Sequence, residues 1–217
     1  MSTGGRRRTA ILISGRGSNM AALLDAARDP AYPATIALVL SNRADAAGLA
    51  RAEASGVPTA VVESRGFRSD REGFERAVEV ELARHDVSLV ALAGFMRVLT
   101  PGFVGRWQDR MVNIHPSLLP AFPGLDTHAR ALAAGVKVHG CTVHFVTAEL
   151  DHGPIVVQAA VPVRAGDSAA SLAARVLRQE HAIYPRAVRW FIEGRLVIES
   201  GVVRVEGVDE QLVLARD

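Results

Sequence analysis

The chain has 217 residues, enough to bury a full core in one or at most two domains, and its 49% hydrophobic and 22% charged content is that of ordinary globular proteins. Its 25 basic residues nearly balance 23 acidic ones, for a net charge of +2, and the arginines are scattered along helical stretches instead of clustered, which argues against a nucleic-acid partner. No apolar run approaches the roughly 20 residues of a membrane span. One cysteine, Cys141, excludes an intrachain disulfide and points to a reducing cytoplasm, while a single lysine, Lys137, leaves no Gly-Lys-Ser/Thr phosphate loop.

In chain order, residues 1–8 read as a disordered tail and 9–217 as one domain, with halves at about 9–106 and 107–217. Thr9–Ser14 is a short apolar run of the kind buried in parallel sheets, followed by a Gly-rich turn and a helical spacing over Asn19–Arg28. A strand over Thr35–Leu40 completes a βαβ unit. The alternation continues with a helix at about Ala44–Ser55, a strand at Thr59–Val62, a helix at about Asp70–Arg84, a strand at Val87–Ala93 and a short strand ending near His115. Beyond it, Cys141–Thr147 alternates, Ile155–Val163 is apolar and β-branched, a long helix runs over about Ser168–Ile192, and Leu196–Val205 reads as a hairpin. The predicted fold class is α/β: a Rossmann-like, mostly parallel twisted sheet with helices on both faces and antiparallel additions toward the C-terminus.

Ligands in such sheets bind beyond the carboxyl ends of strands. Gly15–Asn19, Gly94–Arg97 and His115 all fall there. In Asn113-Ile-His115-Pro-Ser-Leu-Leu-Pro120, Asn113 and His115 are two apart on an extended segment, so both side chains leave one face. The two prolines end the strand and set the following loop. An amide donor can stabilise charge developing on an oxygen, and an imidazole is the side chain that moves protons near neutral pH. The plainer reading is a hydrogen-bonded structural pair. Gly17, Ser18 and Asn19 offer amides to an anion at a helix N-terminus, or Ser18 or Asn19 simply caps that helix. Met20 stands where a dinucleotide fingerprint needs its third glycine, so a mononucleotide phosphate fits better than NAD. Asp151-His-Gly-Pro154 reads equally as a turn. His139 and His144 are an odd number apart and no His-Glu-x-x-His exists, so no metal is expected.

Four motifs, Ser14-Gly-Arg-Gly-Ser-Asn19, Leu92-Ala-Gly-Phe-Met-Arg97, Asn113–Pro120 and Asp151–Pro154, occur in this order and spacing. Together they make the chain resemble the folate-dependent glycinamide ribonucleotide formyltransferases of purine synthesis, from about Ala10 to about Gly194. The resemblance implies the formyltransferase fold, with 10-formyltetrahydrofolate as co-substrate and phosphoribosylglycinamide as acceptor. It also implies small molecules as the only partners, with no membrane, and it leaves the oligomeric state open. It makes Asn113, His115 and Asp151 the catalytic group. For the ribonucleotide it implies Gly17, Ser18 and Asn19 at the phosphate, Glu180 at the sugar hydroxyls, and Leu177, Arg178 and Gln179 as further binding residues. For the folate it implies Arg71, with Arg68 as substitute after an apparent one-residue insertion, together with Met96, Arg97, Val98, Leu99, Asn113, Thr147, Ala148, Glu149, Leu150 and Asp151. Asp126 stands where relatives often carry histidine.

Two relatives and one unrelated class compete. Methionyl-tRNA formyltransferase carries a further C-terminal domain, and formyltetrahydrofolate deformylase a further N-terminal one; the length of this chain is expected to leave room for neither. A non-catalytic nucleotide-binding module would have no use for the three catalytic residues.

Overall fold

A computed structural model describes residues 6–215, which form two compact units divided between Val112 and Asn113. The expected tail at 1–8 falls outside the described residues at 1–5, and strand β1 (Arg7–Ile13) already includes Arg7 and Arg8. Those two arginines are its exposed first residues, ahead of the buried Thr9–Ile13 run.

The first unit is a parallel sheet in the order β4 (Leu89–Leu92), β1, β2 (Ala34–Ser41), β3 (Thr59–Val61). Ile11 pairs with Val39 on one side and Ala91 on the other, and all three are fully buried, which is why these strands are apolar without alternation. Helices α1 (Ser18–Ala27), α2 (Gly48–Ala54) and α3 (Arg71–Arg84) make the crossovers, with a 3₁₀ turn over Ser64–Phe67 before α3. Helix α2 is shorter than the sequence suggests, because residues 44–47 are turn. Helix α4 (Pro101–Arg106) was not foreseen. Its signals are a proline in the first turn and the Thr100 side chain as N-cap.

Strand β5 (Met111–His115) straddles the division. In the second unit the sheet order is β5, β6 (Val138–Phe145), β7 (Ile155–Pro162), β10 (Leu212–Leu214). β6 and β7 are antiparallel, as expected, and β10, an unforeseen strand, is parallel to β7. Gly140 on β6 is obligatory, since a Cβ there would lie 1.9 Å from the Ala159 carbonyl oxygen. A short helix α5 (Thr127–Ala133) precedes β6, and the long helix α6 (Ala169–Ile192) packs on β6 and β7. Its Ser168 and Ser171 form a reciprocal capping box. β8 (Leu196–Glu199) and β9 (Val202–Val205) form the predicted hairpin as a separate two-stranded sheet. Among the described residues, no helix is long and apolar enough to cross a membrane.

Candidate active site

In the second unit, β5 ends at His115 and the chain turns at once into the Pro116–Pro120 loop. That loop is pinned from below by polar side chains of the neighbouring strands. Thr142 Oγ1 donates to the Ser117 carbonyl (2.7 Å) and accepts from Leu119 N (3.0 Å), while Gln158 Nε2 donates to the Leu119 carbonyl (2.8 Å). Ser117 Oγ donates to the Ala121 carbonyl (2.7 Å) and Thr127 Oγ1 to the Pro116 carbonyl (2.7 Å). A segment with so many side-chain anchors holds the end of β5 in one conformation.

Asp151 is remote in sequence but close in space. Its Oδ2 lies 3.5 Å from His115 Nδ1 and accepts from Gly124 N at 2.8 Å. Asp151 has φ 56, a left-handed conformation, and Gly153 just after it presses against the Phe145 carbonyl, where a Cβ would come within 1.7 Å. The Asp-His-Gly-Pro turn is therefore real, and it delivers a carboxylate to the imidazole. The other ring nitrogen of His115, Nε2, donates to the Phe122 carbonyl at 3.1 Å.

Asn113 Nδ2 lies 3.2 Å from Nε2 of His144, on β6. The Nδ1 of His144 is 2.9 Å from the Phe145 carbonyl, an acceptor only, so Nδ1 carries the proton and Nε2 presents its lone pair to Asn113. Burial pushes the His144 pKa down, outweighing the Phe145 carbonyl and Asp151, which raise it. His144 is accordingly neutral, and its 3.9 Å approach to Asp151 Oδ1 is not an ion pair. Cys141, fully buried on β6, has its thiol pushed far up by burial and by nearby Glu180, which removes it as a nucleophile.

The remaining second-unit positions lie on two elements. Thr147, Ala148, Glu149 and Leu150 form the loop before Asp151, with Thr147 Oγ1 bonded to the Glu149 carbonyl (3.1 Å) and Leu150 exposed. Leu177, Arg178, Gln179 and Glu180 are consecutive on α6, so their side chains point to different sides of the helix. Glu180 is buried and Arg178 exposed.

In the first unit, Gly17 is the N-cap of α1, at φ 69, and no side chain caps the helix. The plainer reading of Ser18 or Asn19 as N-cap is therefore corrected: the left-handed glycine starts the helix with Ser18 already inside it. A Cβ at Gly17 would meet Met20 Cε at 3.0 Å and Gly48 Cα at 3.1 Å. Gly48 N in turn donates to the Gly15 carbonyl at 3.0 Å. The loop is thus shaped by close backbone approach, and the first-turn amides of α1, like those of any helix, lack intrahelical acceptors.

The Met96–Leu99 segment also belongs to the first unit. Met96 N donates to Ser14 Oγ (2.7 Å), and Ser14 Oγ donates to Asn42 Oδ1 (2.6 Å). Arg71 donates through Nη2 to the Val98 carbonyl at 2.6 Å, and Arg97 lies over the Phe74 ring, 5.0 Å from its centroid. Leu99 is buried, whereas Met96 and Val98 are exposed. Arg68 has φ 46 and is exposed.

The sequence matches the formyl transferase family over residues 7–188. The chain belongs to that family. Phosphoribosylglycinamide formyltransferase of Escherichia coli is 48% identical over 197 residues, 91% of this chain and 92% of that protein. The trifunctional purine biosynthetic protein adenosine-3 of Homo sapiens is 45% identical over 91% of this chain, which spans only 20% of that longer protein. Glycinamide ribonucleotide transformylase 1 from Symbiobacterium toebii has a TM-score of 0.90 at 48% identity, covering 94% of this chain and 97% of that one. A formyltetrahydrofolate deformylase from Pseudomonas syringae has a TM-score of 0.86 at 28% identity, covering 93% of this chain and 66% of its own.

For a formyl transferase, sequence reasoning under-weighted His144, whose only signal was a histidine in an alternating strand. The Phe122 carbonyl and the Gly124 amide carried no signal, because backbone groups have none.

Proposed function

We propose that this protein transfers the formyl group of 10-formyltetrahydrofolate to the amine of 5′-phosphoribosylglycinamide, a step of de novo purine biosynthesis, in the cytoplasm. The observation that carries the reading is the convergence of Asn113, His115 and Asp151, with His144 behind Asn113. Within the family, the higher identity and fuller coverage of the phosphoribosylglycinamide enzyme favour this activity over the deformylase.

The amine nitrogen attacks the formyl carbon, a C–N bond forms, and the carbonyl oxygen takes up the electron pair. One hydrogen of the Asn113 amide is engaged by His144 Nε2; the second is the donor for that oxygen. The tetrahedral intermediate then expels the folate nitrogen, which must gain a proton as the attacking amine loses one. His115 serves that exchange, with Asp151 fixing its ring and balancing the imidazolium charge. No enzyme nucleophile takes part, in keeping with the inert Cys141.

For the ribonucleotide, Gly17, Ser18 and Asn19 would hold the phosphate, Glu180 the sugar hydroxyls, and Leu177, Arg178 and Gln179 would add further contacts. For the folate, the resemblance assigns Arg71 and Met96–Leu99 in the first unit, and Asn113 and Thr147–Asp151 in the second. The Arg71 bond to Val98 supports Arg71 over Arg68. Residues 9–217 would work as one catalytic domain. The test is tetrahydrofolate release from 10-formyltetrahydrofolate, followed by absorbance with and without phosphoribosylglycinamide. Release only with the amine is expected; release without it indicates a hydrolase, and none in either case a binding module.

A further inference from the structure

We propose that Glu75 is a positioning residue for the folate-binding segment, fixing its C-terminal end through Thr100; the proposal rests on the reading of Met96–Leu99 given above. Glu75 lies on α3 and is 1% exposed. A carboxylate is retained at such depth only with good partners, since its desolvation is costly. Both partners come from one residue. Oε1 accepts from Thr100 N at 2.6 Å, and Oε2 accepts from the Thr100 hydroxyl. The same hydroxyl oxygen accepts from Phe103 N at 3.3 Å, so the end of the segment and the start of α4 are tied to one carboxylate.

Glu75 does not act alone. Arg71, Phe74 and Glu75 stand at i, i+3 and i+4, on one face of α3. That face grips the segment residue after residue: Phe74 stacks on Phe95 (6.4 Å, 18°) and lies under Arg97, Arg71 holds the Val98 carbonyl, and Glu75 holds Thr100. At the other end, Ser14 N donates to the Gly94 carbonyl (3.1 Å) and Ser14 Oγ accepts from Met96 N. Between these anchors the Met96 and Val98 side chains are 66% and 56% exposed. Packing of Phe95 and Leu99 alone therefore leaves the backbone around Met96 and Val98 to be held by hydrogen bonds from Ser14, Arg71 and Glu75. A heteroaromatic ring read by backbone groups gains affinity when that backbone is set before binding, because the ordering cost is met in advance.

The experiment measures steady-state constants for both substrates in the whole protein, with folate affinity by calorimetry, for wild type, Glu75→Ala, Thr100→Val and Thr100→Ser. In Glu75→Ala and Thr100→Val the KM and Kd for 10-formyltetrahydrofolate should rise about tenfold, as expected for loss of a charge-assisted hydrogen bond. The KM for phosphoribosylglycinamide should move far less, and Thr100→Ser, which keeps the hydroxyl, should restore folate affinity. A merely structural role would affect the constants for both substrates alike, and that result overturns the proposal while leaving the formyl-transfer reading intact. If Glu75→Ala does not fold, the Thr100 pair decides by the same split. A wild-type protein that neither binds the folate nor turns over sinks both readings together.

Discussion

His144 Nε2, 3.2 Å from Asn113 Nδ2, determines which way round the Asn113 amide sits. With Nδ1–H committed to the Phe145 carbonyl and the ring kept neutral by burial, Nε2 can only accept. The Asn113 NH₂ must therefore face it, and one N–H remains to meet a developing oxyanion. Asn113→Ala should lower kcat about a hundredfold to a thousandfold with little change in either KM, the effect of removing a donor that acts mainly in the transition state. His144→Phe, which keeps a ring but offers no acceptor, should cost roughly tenfold to a hundredfold, matching about 1–3 kcal/mol for a buried polar group left unsatisfied. Because His144 works through Asn113, the double variant should be scarcely slower than Asn113→Ala. Additive losses would show instead that His144 touches the reaction independently.

Asp151→Asn keeps the shape of the side chain and removes its charge. The Gly124 amide can still find an acceptor, so the turn should persist, while His115 loses the carboxylate beside Nδ1. Turnover should fall by about two to four powers of ten, the range for general acid–base catalysis. Binding of both substrates, measured by calorimetry, should survive. A variant that turns over at a wild-type rate would remove Asp151 from the proton relay.

The phosphate loop should respond in another way. Gly17→Val forces a β-branched residue into φ 69 and against Gly48 and Met20, which displaces the start of α1. Its contacts would serve ground state and transition state alike, so the KM for phosphoribosylglycinamide should rise much more than that for the folate. Equal rises would identify the loop as scaffold only.

The parts legible in the sequence were those whose signal is a side-chain pattern. The uninterrupted apolar run at Thr9–Ser14 marks a buried parallel strand, and the antiparallel pairing expected for Cys141–Thr147 holds, although that strand runs Val138–Phe145 and is buried on both faces instead of alternating. What stayed hidden was set by tertiary contact. β10 is three residues long and is defined only by its pairing with β7, and Glu75 reads as one more charge on a helix until Thr100 is seen against it. The alternative of Ser18 or Asn19 as N-cap of α1 fails although both have better capping side chains than Gly17. The approach of Gly48 to the loop, which favours glycine at 17, is invisible in a linear sequence.

The last prediction concerns stability against pH. His139, 1% exposed, stacks edge-on with His128 (5.2 Å) and Phe122 (5.9 Å). Its pKa is pushed down to about 4, chiefly by burial and also by His128 and His115, against a raising contribution from the Pro116 carbonyl; His128 itself is lowered by burial. An unfolded histidine titrates near 6.5. Between those two values the unfolded chain binds a proton that the folded chain refuses, so stability declines as the pH falls through that window and levels off below about 4. For His139 alone the loss by pH 4 is on the order of 2–3 kcal/mol, at about 1.4 kcal/mol per pH unit. His139→Phe removes the titrating group while keeping an aromatic ring against Phe122 and His128. Denaturant unfolding followed from pH 7 to pH 4 should therefore show a shallower decline in the variant than in the wild type. Parallel curves would mean that His139 is already protonated in the folded protein, and that the acid sensitivity lies with His128, His144 or the carboxylates.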